Sequence, residues 1–205
     1  MLNIFHQHLR RFRQNSDGAL TVEFVILAPL LLWTFAAIYT FFDAFRQDTI
    51  NLKAAYTISD LVSRETTELN ETYIDSMYAM SQLLIRSDSN TSIRISVVRW
   101  DEDDDRYYLD WSKERGDALV EWTNATISEI EDRLPVMPDQ ERVILVETRN
   151  DLEPAFKVGL PSMDLDNFVF SRPRFAPLVH FEGVDIVSGS HEDSLEGQDT
   201  EKDAD

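Results

Sequence analysis

The stretch ALTVEFVILAPLLLWTFAAIYTFF, Ala19–Phe42, limits what this chain can fold into more than any other feature. It holds one charged residue, Glu23, and one proline, Pro29. About 20 apolar residues in helical form suffice to cross a bilayer. A chain of 205 residues has little protein with which to wrap so long an apolar helix. A secretory signal peptide has a shorter apolar run and a small-residue cleavage site after it. Here the run ends in aromatics and passes into an amphipathic pattern, so it reads as a transmembrane helix that is retained. Tyr39, Phe41 and Phe42 stand near its distal end, where an aromatic belt is expected.

Charge gives the span a direction. Arg10, Arg11 and Arg13, with the single acid Asp17, precede Gly18. Of the 19 Lys/Arg and 38 Asp/Glu in the chain, 16 bases and 37 acids then lie beyond Gly18. The positive-inside bias makes residues 1–18 a basic cytoplasmic leader and sends everything after about residue 43 across the membrane. So acidic a body repels nucleic acid, which is bound by clustered Lys and Arg. The chain has no cysteine, which excludes disulfides, thiolate catalysis and Cys-ligated metals.

Two residues inside the span call for an explanation. A charged side chain at mid-membrane costs on the order of 2.5–3.5 kcal/mol on insertion scales, less near an edge. Glu23 therefore either pairs with a cation or snorkels to the headgroup boundary. Pro29 removes one helical hydrogen bond and is expected to kink the helix.

Gly18, four residues later Glu23 and Phe24, then the apolar span: this string resembles the processing motif of type IV pilin-like proteins. The fuller string GALTVEFVILAPLLL, Gly18–Leu32, is similar to the TadE-like family of minor pseudopilins of the tight-adherence (Tad/Flp) pilus machinery. ISDLVSRE, Ile58–Glu65, shares a weaker pattern with that family. The resemblance implies cleavage by a prepilin peptidase between Gly18 and Ala19. It implies that Glu23, beside Phe24, is an assembly contact that pairs with the N-terminal amine of a neighbouring subunit. It further implies partners among other pilins and pseudopilins, and an inner-membrane, single-pass protein with a periplasmic C-terminal domain, possessing no cofactor. Many pilins present Phe or Met at the mature terminus, where this chain has Ala19.

Beyond the membrane, FRQDTINLKAAYTISDLVSR contains neither Gly nor Pro and continues the helix to Arg64. A helix over Ala19–Arg64 spans roughly 70 Å. Phe45, Leu52, Ala55, Ser59 and Val62 form its expected apolar stripe. A second helix is predicted at Thr67–Arg86, with Leu69, Tyr73, Met77, Met80 and Leu84 on one face. Thr91–Trp100 alternates Ile93, Ile95 and Val97 with Ser92, Arg94 and Ser96, a strand with one face buried. Asp101–Asp105 leads into Arg106–Trp111 as a hairpin, and Ala118–Leu134 reads as a helix ended by Pro135. Glu141–Asn150 reads as a central strand, and Asn167–Phe175 as a last strand at an edge after Ser171 because of Pro173. The fold class is α+β: a long N-terminal transmembrane helix runs into an extracytoplasmic domain, where a second helix packs on a small, mainly antiparallel sheet. The expected segments are the leader 1–18, the span 19–42, a pilin-like domain 43–190 and a disordered acidic tail 191–205.

The run Asp101–Asp105 is the candidate metal loop, because Ca²⁺ takes six to eight oxygens. It lacks the mid-loop Gly and terminal Glu of an EF-hand, so a solvated hairpin turn is the reading adopted. Of the four histidines only His180 and His191 lie beyond the span, and no GxSxG, HExxH or phosphate-binding Gly-rich loop occurs. The chain is read as a structural subunit and not an enzyme. The alternative of another class is an uncleaved, signal-anchored envelope protein whose ectodomain senses or binds a ligand.

Overall fold

The computed structural model describes residues 19–85 and 90–186. The leader 1–18, Gly18 included, and the tail 191–205 lie outside them. The chain forms two compact units. One contains the described residues up to Arg46 together with Glu153–Ser162; the other contains Gln47–Leu152 and the described residues from Met163 onward.

Helix α1 covers Ala19–Ser63, 45 residues and about 68 Å at the standard rise. It contributes its first part to one unit and its last part to the other. In the first unit its large apolar side chains are exposed on all sides from Val22 to Phe35, while farther along Thr40 is buried and Ala36, Ala37 and Ala44 are half-buried. The same unit holds Glu153–Ser162, in which the Val158 N–H donates to the Phe156 carbonyl at 2.9 Å. This tight turn brings the Phe156 ring to 6.0 Å from the Tyr39 ring, edge to face.

In the second unit α1 buries Asn51, Ala54, Ala55, Ile58, Ser59, Val62 and Ser63. This steps by three and one along the chain, as one helical face does. The stripe thus corrects the expected one. Ala55, Ser59 and Val62 belong to it, but Phe45 and Leu52 are exposed, and Asn51 and Ala54 occupy the buried positions. Small side chains bring the helix close enough for Ser59 Oγ to meet Ser171 Oγ at 2.7 Å.

Helix α2 covers Glu71–Ile85, a later start than Thr67. Leu69 instead pairs with Phe181, donating to the His180 carbonyl and accepting from the Glu182 N–H at 2.9 and 2.8 Å. Asn70 then caps the helix through Oδ1, which accepts from the Tyr73 N–H at 3.0 Å. The buried face is Ile74, Met77, Ser81 and Ile85, with Tyr73 and Met80 half-buried beside it.

Four strands form one antiparallel sheet: β1 (Thr91–Asp101), β2 (Arg106–Arg115), β3 (Arg142–Leu152) and β4 (Met163–Ser171), in the order β2-β1-β3-β4. β4 begins four residues before the expected Asn167 and ends before Pro173, on an edge. Its start follows from register, since Met163 is the partner of Leu152.

Both faces of the sheet are covered, which overturns the one-sided reading of β1. Ile93, Ile95 and Val97 meet Ala55, Ile58, Val62, Ile74 and Met77 of the helices. On the other face Ser92, Arg94 and Ser96 are buried too, under the crossover from β2 to β3. That crossover was expected to be a helix over Ala118–Leu134, but only the 3₁₀ turn Ile127–Arg133 is helical. Its backbone is spent on the sheet instead. The Ala118 N–H donates to Ser92 Oγ and the Trp122 N–H to Ser112 Oγ, both at 3.0 Å. Gly116 lets the chain turn onto this face. It has φ +98°, and a Cβ there would lie 2.4 Å from Ser92 Oγ.

One irregularity reorders β2. Val97 faces Trp111 while Val98 faces Leu109, so Asp110 is an extra residue, a β-bulge. Leu109 and Trp111, two apart, consequently pack into opposite cores.

Candidate membrane and assembly site

Among the described residues, α1 is the one helix long and apolar enough to cross a membrane. A helix apolar on all sides is compatible with a single membrane crossing, and the most apolar stretch of this one is almost uncovered by the rest of the described chain. Phe24 is 70% exposed, and Ile26, Leu30, Leu32, Trp33 and Phe35 stand out from different sides of the helix. Contiguous apolar surface on this scale marks a contact with a membrane or with another protein.

Polar groups of this helix segment, some exposed and Thr40 buried, are handled in two ways. The Thr34 and Thr40 hydroxyls donate to the Leu30 and Ala36 carbonyls of their own helix, each at 2.8 Å. Such back-bonding satisfies a hydroxyl without a partner from outside. Glu23 has no such recourse. It is exposed, and no cation pairs with it among the described residues. Ala19 is the first residue of α1, so Glu23 lies just over one turn along the helix, with Phe24 next to it. Pro29 sits inside α1, which continues on both sides. Its missing N–H leaves the Val25 carbonyl without its usual donor. Gly18 lies outside the described residues, so the structure places Ala19, Glu23, Phe24 and Pro29 on one helix.

Asp101 and Asp104 of the acidic turn are engaged by side chains of the hairpin and of the segment before β3. Asp101 accepts from Gln140 Nε2 at 3.2 Å and from Arg99 at 2.9 Å. These bonds, that from Gln140 foremost, hold its carboxyl below the usual carboxylate range. Asp104 accepts the Tyr108 hydroxyl proton at 2.5 Å. Among the described residues no three His, Asp or Glu side chains converge as metal ligands would. A cleft of about 320 Å³ beside Tyr107 and Asn124 is lined by Arg106, Ser128 and Glu131. The Ser128 hydroxyl there donates to the Ala125 carbonyl at 3.5 Å.

Sequence reasoning missed the buried charges of the sheet domain. Arg94 Nε donates to Glu147 Oε2 at 2.6 Å, and Trp122 Nε1 donates to the same oxygen at 2.7 Å. The guanidinium lies 3.9 Å from the Trp122 ring centroid and also bonds the Val120 carbonyl. Arg142 Nε donates to Asp110 at 2.7 Å. Burial nevertheless pushes the Asp110 carboxyl up, outweighing Arg142. Arg94 and Glu147 are register partners across β1 and β3; opposite charges at matched positions of two adjacent strands were the available signal.

Comparison of the chain with protein-family models, with curated proteins and with solved structures finds no match.

Proposed function

We propose that this chain is a membrane-anchored minor pseudopilin that assembles through its N-terminal helix. In this reading Ala19–Phe42 lies in the inner membrane, the leader is cytoplasmic and the sheet domain periplasmic. A prepilin peptidase cuts after Gly18, and the new amine at Ala19 is bound by Glu23 of a neighbouring, axially staggered pilin. The observation that carries the reading is Glu23, an exposed carboxylate with no cation beside it among the described residues, on an apolar helix where Thr34 and Thr40 bond to their own backbone. A carboxylate in lipid is tolerable when a cation pairs with it. The continuation of the same helix to Ser63 fits a pilin-like stalk.

The test is Glu23→Gln at matched membrane abundance. Removing one member of a buried ion pair costs on the order of 3–5 kcal/mol, which weakens association a hundredfold or more. The variant should still be cleaved and membrane-bound, yet fail to co-purify with other pilins. Intact mass of the wild-type chain should lack residues 1–18, and a bulky side chain at Gly18 should block that loss. A full-length mass with unchanged co-purification of Glu23→Gln points instead to an uncleaved anchor bearing a binding ectodomain.

A further inference from the structure

The loop Glu153–Ser162 between β3 and β4 groups with the membrane half of α1, and no step of anchoring or assembly so far uses it. Its sequence, EPAFKVGLPS, carries one acid and one base in a body with a large acidic excess. Ala155, Phe156 and Lys157 are exposed together. Phe156 remains 49% exposed even though one edge of it packs on Tyr39. Tyr39 is three residues short of Phe42, the last residue of the apolar run. If Ala19–Phe42 spans the bilayer, Tyr39 is at the outer headgroup boundary, and the contact fixes Phe156 at the same depth.

We propose that Glu153–Ser162 is a second membrane contact. Phe156 inserts into the lipid interface beside Tyr39, and Lys157 reaches the phosphates. The chemistry fits the place. Aromatic rings favour the boundary between acyl chains and headgroups. A lysine next to such a ring lays its stem along the apolar layer and leaves its ammonium among anionic headgroups. An acidic loop here would be repelled by anionic lipid, and this one is close to neutral. The inference rests on the span reading of α1 and adds a contact that a bare single-pass anchor lacks.

The absence of native cysteine makes the test direct. Three single-cysteine variants of the full chain, Ala155→Cys, Trp33→Cys and Ser128→Cys, are labelled with an environment-sensitive fluorophore. They are reconstituted into phosphatidylcholine–phosphatidylglycerol vesicles that contain lipids spin-labelled either at the headgroup or deep in the acyl chain. The Ala155 probe should lose most of its emission to the headgroup quencher and little to the deep one. Trp33 should show the reverse, and Ser128, on the 3₁₀ turn, should respond to neither. Adding Phe156→Asp to Ala155→Cys should abolish the shallow quenching. Deep quenching at Trp33 with none at Ala155 overturns the proposal while leaving the span intact. Quenching at neither overturns the span as well. Efficient disulfide dimerisation of Ala155→Cys without lipid quenching assigns the loop to a second copy of the chain, and also overturns the proposal.

Discussion

Glu147 is one acceptor for two donors, the Arg94 guanidinium and the Trp122 indole. The Arg94 and Glu147 side chains are only 8% and 10% exposed, so this pair is shielded from solvent. Replacing one partner leaves the other charged and unpaired in a dry place, which costs about 3–5 kcal/mol. Glu147→Ala should lower the stability of the detergent-solubilised chain by that much in urea unfolding followed by tryptophan emission. The double replacement Arg94→Met with Glu147→Leu should recover most of the loss, since apolar side chains of similar volume often replace such a pair at little cost. Unequal behaviour of the single and double variants is the signature of a pair and not of two independent contacts. Period-two alternation in Ser92–Val97 correctly separates the two faces of β1 but does not tell which is wet. A polar residue under a crossover looks, in sequence, like a polar residue facing water.

At the scale of elements, α2 is tied to β2 by charge as well as by its apolar face. Arg115 donates to Glu71 at 2.7 Å and to Asp75 at 2.6 Å, and Lys113 reaches Glu71 at 3.1 Å. The bonds from Arg115, then Lys113, hold the Glu71 carboxyl below its ordinary value. A carboxylate with a lowered folded pKa contributes stability above its unfolded pKa, and that contribution fades as pH falls through the folded one. Asp101 and Asp166 are shifted in the same direction, Asp166 chiefly by Arg149. The melting temperature in detergent should therefore drop as pH is lowered through the carboxylate range, and Glu71→Gln should flatten part of that drop. All of these pairs are solvent-exposed to some degree, so high salt should shrink the effect. An unchanged pH profile for Glu71→Gln would mean that the bridge does not hold α2. The strands and both helices were legible because hydrophobic period and proline positions mark them locally. The crossover was not, because its backbone bonds to Ser92 and Ser112, residues distant in sequence. The bulge at Asp110 was equally hidden, since register depends on the partner strand.

For the molecule as a whole, the sequence separates a basic head of three arginines from a body with 37 acids and 16 bases. Under the proposed topology, protease added to spheroplasts should degrade the sheet domain and spare a tag fused at Met1. The opposite pattern would reverse the orientation. Of the candidate site, Glu23, Phe24 and Pro29 were readable because a lone charge and a proline stand out in an apolar run. The loop Glu153–Ser162 was not, because what distinguishes it is a contact with Tyr39, over a hundred residues earlier. That loop also bears on chain economy. Leu152 and Met163 already face each other as the last pair of the β3–β4 ladder, and antiparallel strands can be joined by as few as two residues. The ten residues between them thus add conformational entropy to the unfolded chain without adding a rung to the sheet. Strand pairing does not account for their length, so the loop can be redesigned or shortened with the sheet as an internal control.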